Sequence, residues 1–194
     1  MWSAFWAALL VAIAAMAFAG GGTNGTVVAL RLTARVSYGF FWLAYAGGAI
    51  TALFGPGMSF IGRRVRAFGL AFASAQIVHL GLVIWLAWIL PARSIGDAVM
   101  PFFAIAIVWT YLLAALSMEW ARTLFTAPMV KALRTIGSEY IALTFFADFV
   151  LTPKYPLEHP SLYAPFWGML LLGPLLRLGA ALKEMLDVRV PRPG

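Results

Sequence analysis

The sequence contains no cysteine and little charge. Without thiols the chain cannot form disulfides, ligate an iron–sulfur cluster through thiolates or attach a c-type haem covalently. Charged residues make up 11% of the chain, less than half of the roughly 25% that soluble domains carry. A water-soluble shell cannot be built from so few charges, and the mean hydropathy is +0.90. Most of the surface must therefore face lipid.

Motifs of soluble enzymes are missing as well. The sequence has no phosphate-binding loop, no dinucleotide glycine motif, no zinc-binding spacing and no nucleophile–base–acid set. Whether the chain is an enzyme is left open. The formal charge of +7 would suggest nucleic acid in a soluble protein, but the basic residues cluster between apolar runs. We expect a bilayer and other membrane proteins as partners, and no nucleic acid.

Six apolar runs alternate with charged or turn-forming stretches. A membrane helix needs about 20 apolar residues, and 194 residues leave no room for a separate soluble domain. The sequence predicts an all-α fold, a single transmembrane domain over 1–194 built as an integral membrane six-helix bundle. The predicted spans are 2–19, 36–54, 67–90, 98–118, 135–152 and 162–182.

The distribution of basic residues predicts the orientation of the bundle. With six spans, ten of the 14 Lys and Arg residues fall on the side that holds both termini. The side richer in Lys and Arg is normally cytoplasmic. We therefore expect a multi-pass protein of the bacterial inner membrane with both termini inside. The four basic residues on the outer side are Arg31, Arg35, Arg93 and Lys154.

Small residues four apart suggest where helices approach each other closely. Such pairs let two backbones come together in a membrane. They are Ala44 and Gly48, Gly47 and Thr51, Gly69 and Ala73, and Ala71 and Ala75.

His79 is the most informative single residue. It lies near the middle of the third predicted span, about 18 Å of helix from its start, and Gln76 projects from the same face three residues earlier. An ionisable side chain at that depth is a candidate functional residue. It could be the axial metal ligand of a b-type haem, or a neutral histidine hydrogen-bonded to a neighbouring helix. Bis-histidine ligation would require His159, which precedes the sixth span in an outer loop.

Charged residues give two further candidates. Glu139 lies a few residues inside the fifth span, where it could relay protons or form a structural pair with Arg134 or Arg177. The arginines before the third span are orientation determinants, or they contact anionic headgroups or a haem propionate. They are Arg63, Arg64 and Arg66.

The second and third spans resemble a known family. The segments are RLTARVS at 31–37, FFWLA at 40–44 and RRVRAFGLAFA at 63–73, followed by Gln76 and His79. This pattern is similar to the ferric-reductase-like transmembrane domain, which includes membrane cytochromes b. The resemblance covers roughly 31–88 well and the remainder loosely. It implies haem b as cofactor, with His79 as an axial ligand.

The chain departs from that family at the second ligand. Related sequences often carry histidine at the position of Gln76 and near the start of the fifth helix. Here the comparable segment is LRTIG at 133–137, so Arg134 stands where a histidine is expected. A protonated guanidinium has no lone pair to give to iron.

Two functions follow from this comparison. The first is an accessory subunit with a ferric-reductase-like fold that has lost its haem and packs in a larger electron-transfer or photosynthetic complex. The second is a working b-type cytochrome in which His79 binds the iron. The sequence favours the first, because the second ligand and a reductase domain are missing.

Overall fold

The computed structural model describes residues 2–90, 100–151 and 163–189. Those residues form helices and turns without any strand, as the predicted all-α class requires. A 3₁₀ turn, Pro56–Met58, precedes the third helix, and a π-helical turn, Ala147–Leu151, follows the sixth. The α-helices are α1 (Trp2–Phe18), α2 (Thr23–Phe54), α3 (Ser59–Ile89), α4 (Met100–Ala115), α5 (Glu119–Leu124), α6 (Ala127–Phe146) and α7 (Ala164–Arg189).

Three of the described helical segments are long and apolar enough to cross a membrane. They are Thr23–Phe54, Pro56–Ile89 and Ala164–Asp187. Two shorter apolar helices, Trp2–Phe18 and Met100–Ala115, accompany them. A membrane protein is the class of protein that this pattern supports.

Three of the described helices, α2, α3 and α6, begin earlier than the apolar spans predicted from the sequence. The second span was expected at 36–54, but α2 starts at Thr23 and carries Arg31 and Arg35 within it. A charge ends an apolar window, but it does not interrupt the backbone hydrogen bonds of a helix. Arg31 and Arg35 are thus helical residues and do not lie in a loop.

The third and fifth spans differ from expectation for the same reason. The third was predicted at 67–90, whereas α3 starts at Ser59 and contains the arginine cluster. The fifth was predicted at 135–152, whereas α6 starts at Ala127 with Pro128 in its first turn. Proline is favoured there, because the first amide hydrogens of a helix have no partner within it.

A short break separates α2 from α3. Gly55, with φ of 75°, ends α2, and its amide donates to the carbonyl of Thr51. A residue with a side chain rarely adopts this backbone conformation. Pro56 follows and starts the next turn, so the chain reverses between α2 and α3.

The helix α2 lies at the centre of two apolar clusters. Its first half packs with α1 and α3 through small residues, including Ala29, Ala75 and Ala8, which are fully buried. Its second half packs with α3, α6 and α7 around Tyr38, which is 1% exposed, and a set of phenylalanines. In the described ranges α1, α3 and α7 pack directly on α2, whereas α6 reaches it through side chains such as Phe145 and Glu139.

Glycines bring α2 and α3 into close antiparallel contact. A Cβ added to Gly47 would lie 2.9 Å from Val65 Cγ2, and one added to Gly69 would lie 3.9 Å from Ala44 Cβ. Nearer the turn, Gly62 meets Thr51 in the same way. The register is therefore constant along the pair. Gly48, one of the small residues predicted to lie at a helix contact, faces open space instead.

Candidate functional site

The register of α2 and α3 brings His79 to Thr33. The Nδ1 atom of His79 lies 3.1 Å from the Thr33 hydroxyl oxygen, which itself lies 2.9 Å from the carbonyl oxygen of Ala29. A hydroxyl has one hydrogen and can accept others. With that hydrogen donated to Ala29, the oxygen accepts from Nδ1–H. The histidine thus faces a neighbouring helix, and Thr33 meets it there.

Gln76 lies on the same face of α3, one turn earlier. It is partly buried, and among the described residues its side-chain oxygen Oε1 has no hydrogen-bond partner. An unpaired amide oxygen is costly inside a protein. Gln76 and His79 therefore form the polar patch that their spacing indicates. Within it, the Gln76 oxygen Oε1 accepts no hydrogen bond from the described residues.

The surroundings of His79 test whether a haem fits on this face. An axial histidine usually has its second ring nitrogen fixed by a hydrogen bond, and Thr33 supplies such a contact. However, Ala75 and Val78 beside it are buried against α1 and α2. Helices packed through alanine side chains leave no gap for a planar macrocycle between them. The described residues do not form a haem pocket at this contact.

The other expected ligand positions add no imidazole. His159 lies outside the described residues. Arg134, which stands where the resemblance predicts a second ligand, donates from Nη2 to the carbonyl oxygen of Leu116 over 3.0 Å. That carbonyl is at the carboxyl end of α4, where a cation stabilises the helix. Arg134 therefore has a structural role between α4 and α6.

A charged centre joins α2, α6 and α7. Arg177 Nη2 lies 3.0 Å from Glu139 Oε1, and the Tyr45 hydroxyl donates to Glu139 Oε2 over 2.7 Å. The Arg177 guanidinium also lies over the Tyr45 ring, with its Cζ atom 4.5 Å from the ring centroid. The side chains of Arg177 and Glu139 are 30% and 49% exposed. Of the two arginines proposed for Glu139, Arg177 is the one for which this contact is seen.

A cleft of about 230 Å³ opens beside this centre. One end holds Glu139 and Tyr45, and the remaining walls are aromatic or aliphatic. They are Tyr38, Phe41, Trp42, Ala142, Leu143, Phe146, Met169, Leu170 and Pro174.

Two contacts between α2 and α7 fix the walls of the cleft. Trp42 Nε1 donates to the carbonyl oxygen of Met169 over 2.7 Å, which ties α2 to α7. Gly173 on α7 lets this approach happen, since a Cβ there would lie 3.1 Å from the Tyr45 ring. The position of α7 against α2 at the cleft is therefore fixed by a side-chain bond to the backbone and by close packing at a glycine.

The arginine cluster lies apart from both sites. Arg63, Arg64 and Arg66 are exposed in the first two turns of α3. This position suits contact with anionic headgroups. A propionate role would need a haem nearby, and the contact around His79 lies three or more turns away along α3.

Sequence reasoning missed Thr33 and Tyr45. Both residues carry a single hydroxyl in an apolar helix. Their hydrogen-bond partners, His79 and Glu139, lie 46 and 94 residues away in the sequence. The one available signal was the pairing of spans: antiparallel neighbours joined by a short turn place the start of α2 beside the end of α3. Such a signal points to Thr33 but not to Tyr45.

No protein-family model matches this sequence, and no curated protein or solved structure is significantly similar to it.

Proposed function

We propose that this chain is a haem-free accessory subunit of a larger electron-transfer or photosynthetic complex in the bacterial inner membrane. It crosses the bilayer six times, and both termini lie in the cytoplasm. It contributes a surface on which neighbouring subunits pack, and other subunits of the complex carry out its chemistry.

One observation carries this proposal: inward polar side chains tie helices to each other. His79 meets Thr33 across α2 and α3, and Trp42 donates to α7. Tyr140 on α6 donates to the carbonyl oxygen of Phe102 on α4 over 3.1 Å. In hydrocarbon such bonds stabilise association, because no water competes for the donors. A bundle stabilised in this way suits a structural subunit.

The outer surface supports a role in assembly. Ile84, Trp85 and Trp88 project from the last turns of α3 and are 69%, 49% and 82% exposed. Tryptophan is enriched where membrane proteins meet the interface and where proteins meet each other. These three side chains offer a wide apolar contact for a neighbouring subunit.

Six crossings are supported by the apolar helices and by the basic residues. The helix α1 has 17 residues, about 26 Å of helix, and α4 has 16, about 24 Å. Both come close to the hydrocarbon thickness of about 30 Å. Together with α2, α3, α6 and α7 they make six, and the short α5 has only 6 residues.

The alternative is a b-type cytochrome with His79 as axial ligand. The contact between Thr33 and Nδ1 favours it, since it fixes the imidazole as an axial ligand requires. The alanine packing around the residue weighs against it.

A spectrum of purified protein tests the proposal. The chain is extracted from membranes in a mild detergent and compared with its His79→Leu variant by reduced-minus-oxidised absorption and native electrophoresis. We expect no b-type band in either protein, and migration far above the 21.1 kDa of one chain. A b-type band that disappears in His79→Leu would overturn the proposal and support the cytochrome. Migration as a lone chain from freshly solubilised membranes would also contradict it.

A further inference from the structure

We propose that the cleft between α2, α6 and α7 binds one phospholipid with a primary ammonium headgroup, of the phosphatidylethanolamine type. The Glu139–Arg177 pair holds the headgroup, and the aromatic walls hold the start of an acyl chain. The inference rests on the membrane location proposed above and goes beyond it.

The register of α2 and α3 sets the depth of the charged centre. Ala44 lies opposite Gly69, and Gly47 lies opposite Val65. Tyr45 is between these contacts and therefore lies level with Arg66, the last exposed arginine before the apolar part of α3. Arginines at such a boundary extend to the headgroups. The Tyr45 centre is thus where the headgroup region meets hydrocarbon.

The cleft runs from this level into the hydrocarbon. Its walls pass along α6 from Glu139 to Phe146, seven residues, or about 10 Å. Over the same length, Met169 and Leu170 line it on α7, and only aromatic and aliphatic groups follow the charged end. An amphiphile fits this gradient with its polar group at Glu139 and its chain pointing to Phe146.

The charges of the centre match a zwitterion. Each carboxylate oxygen of Glu139 accepts one hydrogen bond, from Arg177 or Tyr45, and has a second lone pair for a further donor. An ammonium group has three N–H donors for this purpose. Arg177 has five N–H donors, which leaves some for a phosphate oxygen after Glu139 and the Tyr45 carbonyl. A choline group offers no N–H donor, and a glycerol group carries no cation.

Native mass spectrometry of the delipidated protein tests this site. The protein in detergent is titrated separately with phosphatidylethanolamine, phosphatidylcholine and phosphatidylglycerol. We expect one phosphatidylethanolamine to bind about tenfold more tightly than either of the others, as one charge-assisted hydrogen bond would give.

The variant Glu139→Gln provides the sharpest result. It leaves Arg177 without its carboxylate, so the centre changes from neutral to positive. Binding of phosphatidylethanolamine should weaken about tenfold, and phosphatidylglycerol should become the preferred lipid. Loss of folding cannot produce such an inversion of preference. In Leu143→Trp, an enlarged side chain on the half-exposed cleft wall should weaken binding of all three lipids.

The matched control is Glu184→Gln. It makes the same charge change at an exposed position of α7, outside the cleft, and should bind lipids like the wild type. Equal binding of the three lipids by the wild type, or identical behaviour of Glu139→Gln and Glu184→Gln, would overturn the site. Retention of the protein in carbonate-washed membranes is scored separately. Failure there would overturn the membrane location, whereas the lipid results bear on the cleft.

Discussion

At the scale of single residues, a hydroxyl determines what an intramembrane histidine can do. Thr33 lies 3.1 Å from Nδ1 of His79 and is completely buried. Hydrocarbon offers an imidazole no hydrogen-bond partner, so a contact of this kind removes a penalty of several kcal/mol. The net gain is smaller, because a membrane protein unfolded in lipid also finds partners for its polar groups.

A double-mutant cycle measures this contact. His79→Leu and Thr33→Val should each lower the free energy of unfolding by about 1 kcal/mol, and the double variant should lose about 0.6 kcal/mol less than their sum. Unfolding in mixed micelles with increasing dodecyl sulfate gives the values. The control is Thr26→Val, a buried hydroxyl on the same helix that donates to Gly22. A coupling with Thr26 as large as that with Thr33 would show that the contact is not specific.

Which residues could be foreseen depends on the range of their interactions. The location of His79 and Glu139 within long helices could be predicted from sequence, because an apolar run depends only on neighbouring residues, but Glu139 lies twelve residues after the start of α6 and not a few. The pairing of Glu139 with Arg177 was one of two options, since both arginines are predicted at similar depth. Tyr45 as third member of that centre depends on how α2 faces α6, which no local pattern encodes.

At the scale of helices, the closeness of α2 and α3 depends on where glycine lies. Gly47 faces Val65 and Ile61 at 2.9 and 3.0 Å from an added Cβ, whereas its neighbour Gly48 faces open space. The atoms met at Gly47 belong to β-branched side chains, which have few alternative rotamers.

These neighbouring glycines give a matched pair of variants. Gly47→Leu should lower the free energy of unfolding by about 1–3 kcal/mol, since extra carbon atoms must displace packed side chains. Gly48→Leu should lower it little or not at all, because leucine favours helix over glycine and meets no neighbour there. The same micelle titration compares the two. Similar losses in both variants would mean that the helix contact lies elsewhere.

The boundaries of helices were the part of the fold that sequence predicted least well. Each of the six apolar runs overlaps a described helix, but charges were interpreted as helix ends. The helix α2 begins at Thr23, thirteen residues before the predicted start at Val36, and it includes both arginines. Glycine and proline, at Gly55 and Pro128, marked the ends more reliably than charge did, because they act on the backbone.

At the scale of the whole molecule, orientation is the property that most needs a test. The absence of cysteine makes it straightforward, since any introduced thiol is the only one in the chain. Exposed positions are available in the breaks between helices and on the last turns of α7.

Labelling with a membrane-impermeant maleimide on intact spheroplasts reports the side of each thiol. Gly21→Cys should react, because it lies between α1 and α2, which the proposed topology places on the outer side. Gly57→Cys, Thr126→Cys and Glu184→Cys should react only after permeabilisation, as the distribution of basic residues predicts. If Gly57 and Glu184 report opposite sides, the number of crossings between them is odd and the six-span topology is wrong.

The division of α2 into two packing halves has a consequence for synthesis. The contacts among α1, α2 and α3 lie within the first 90 residues, so this trio can assemble while the ribosome is still translating the rest. At roughly 5–20 residues per second, the remaining part takes about 5 to 20 seconds. During that time the face of α2 that carries Trp42 and Tyr45 has neither Met169 nor Glu139 to bond. In this interval the Trp42 indole N–H and the Tyr45 hydroxyl of the three-helix intermediate lack their later partners. An insertion factor or a partner subunit has access to them during that time.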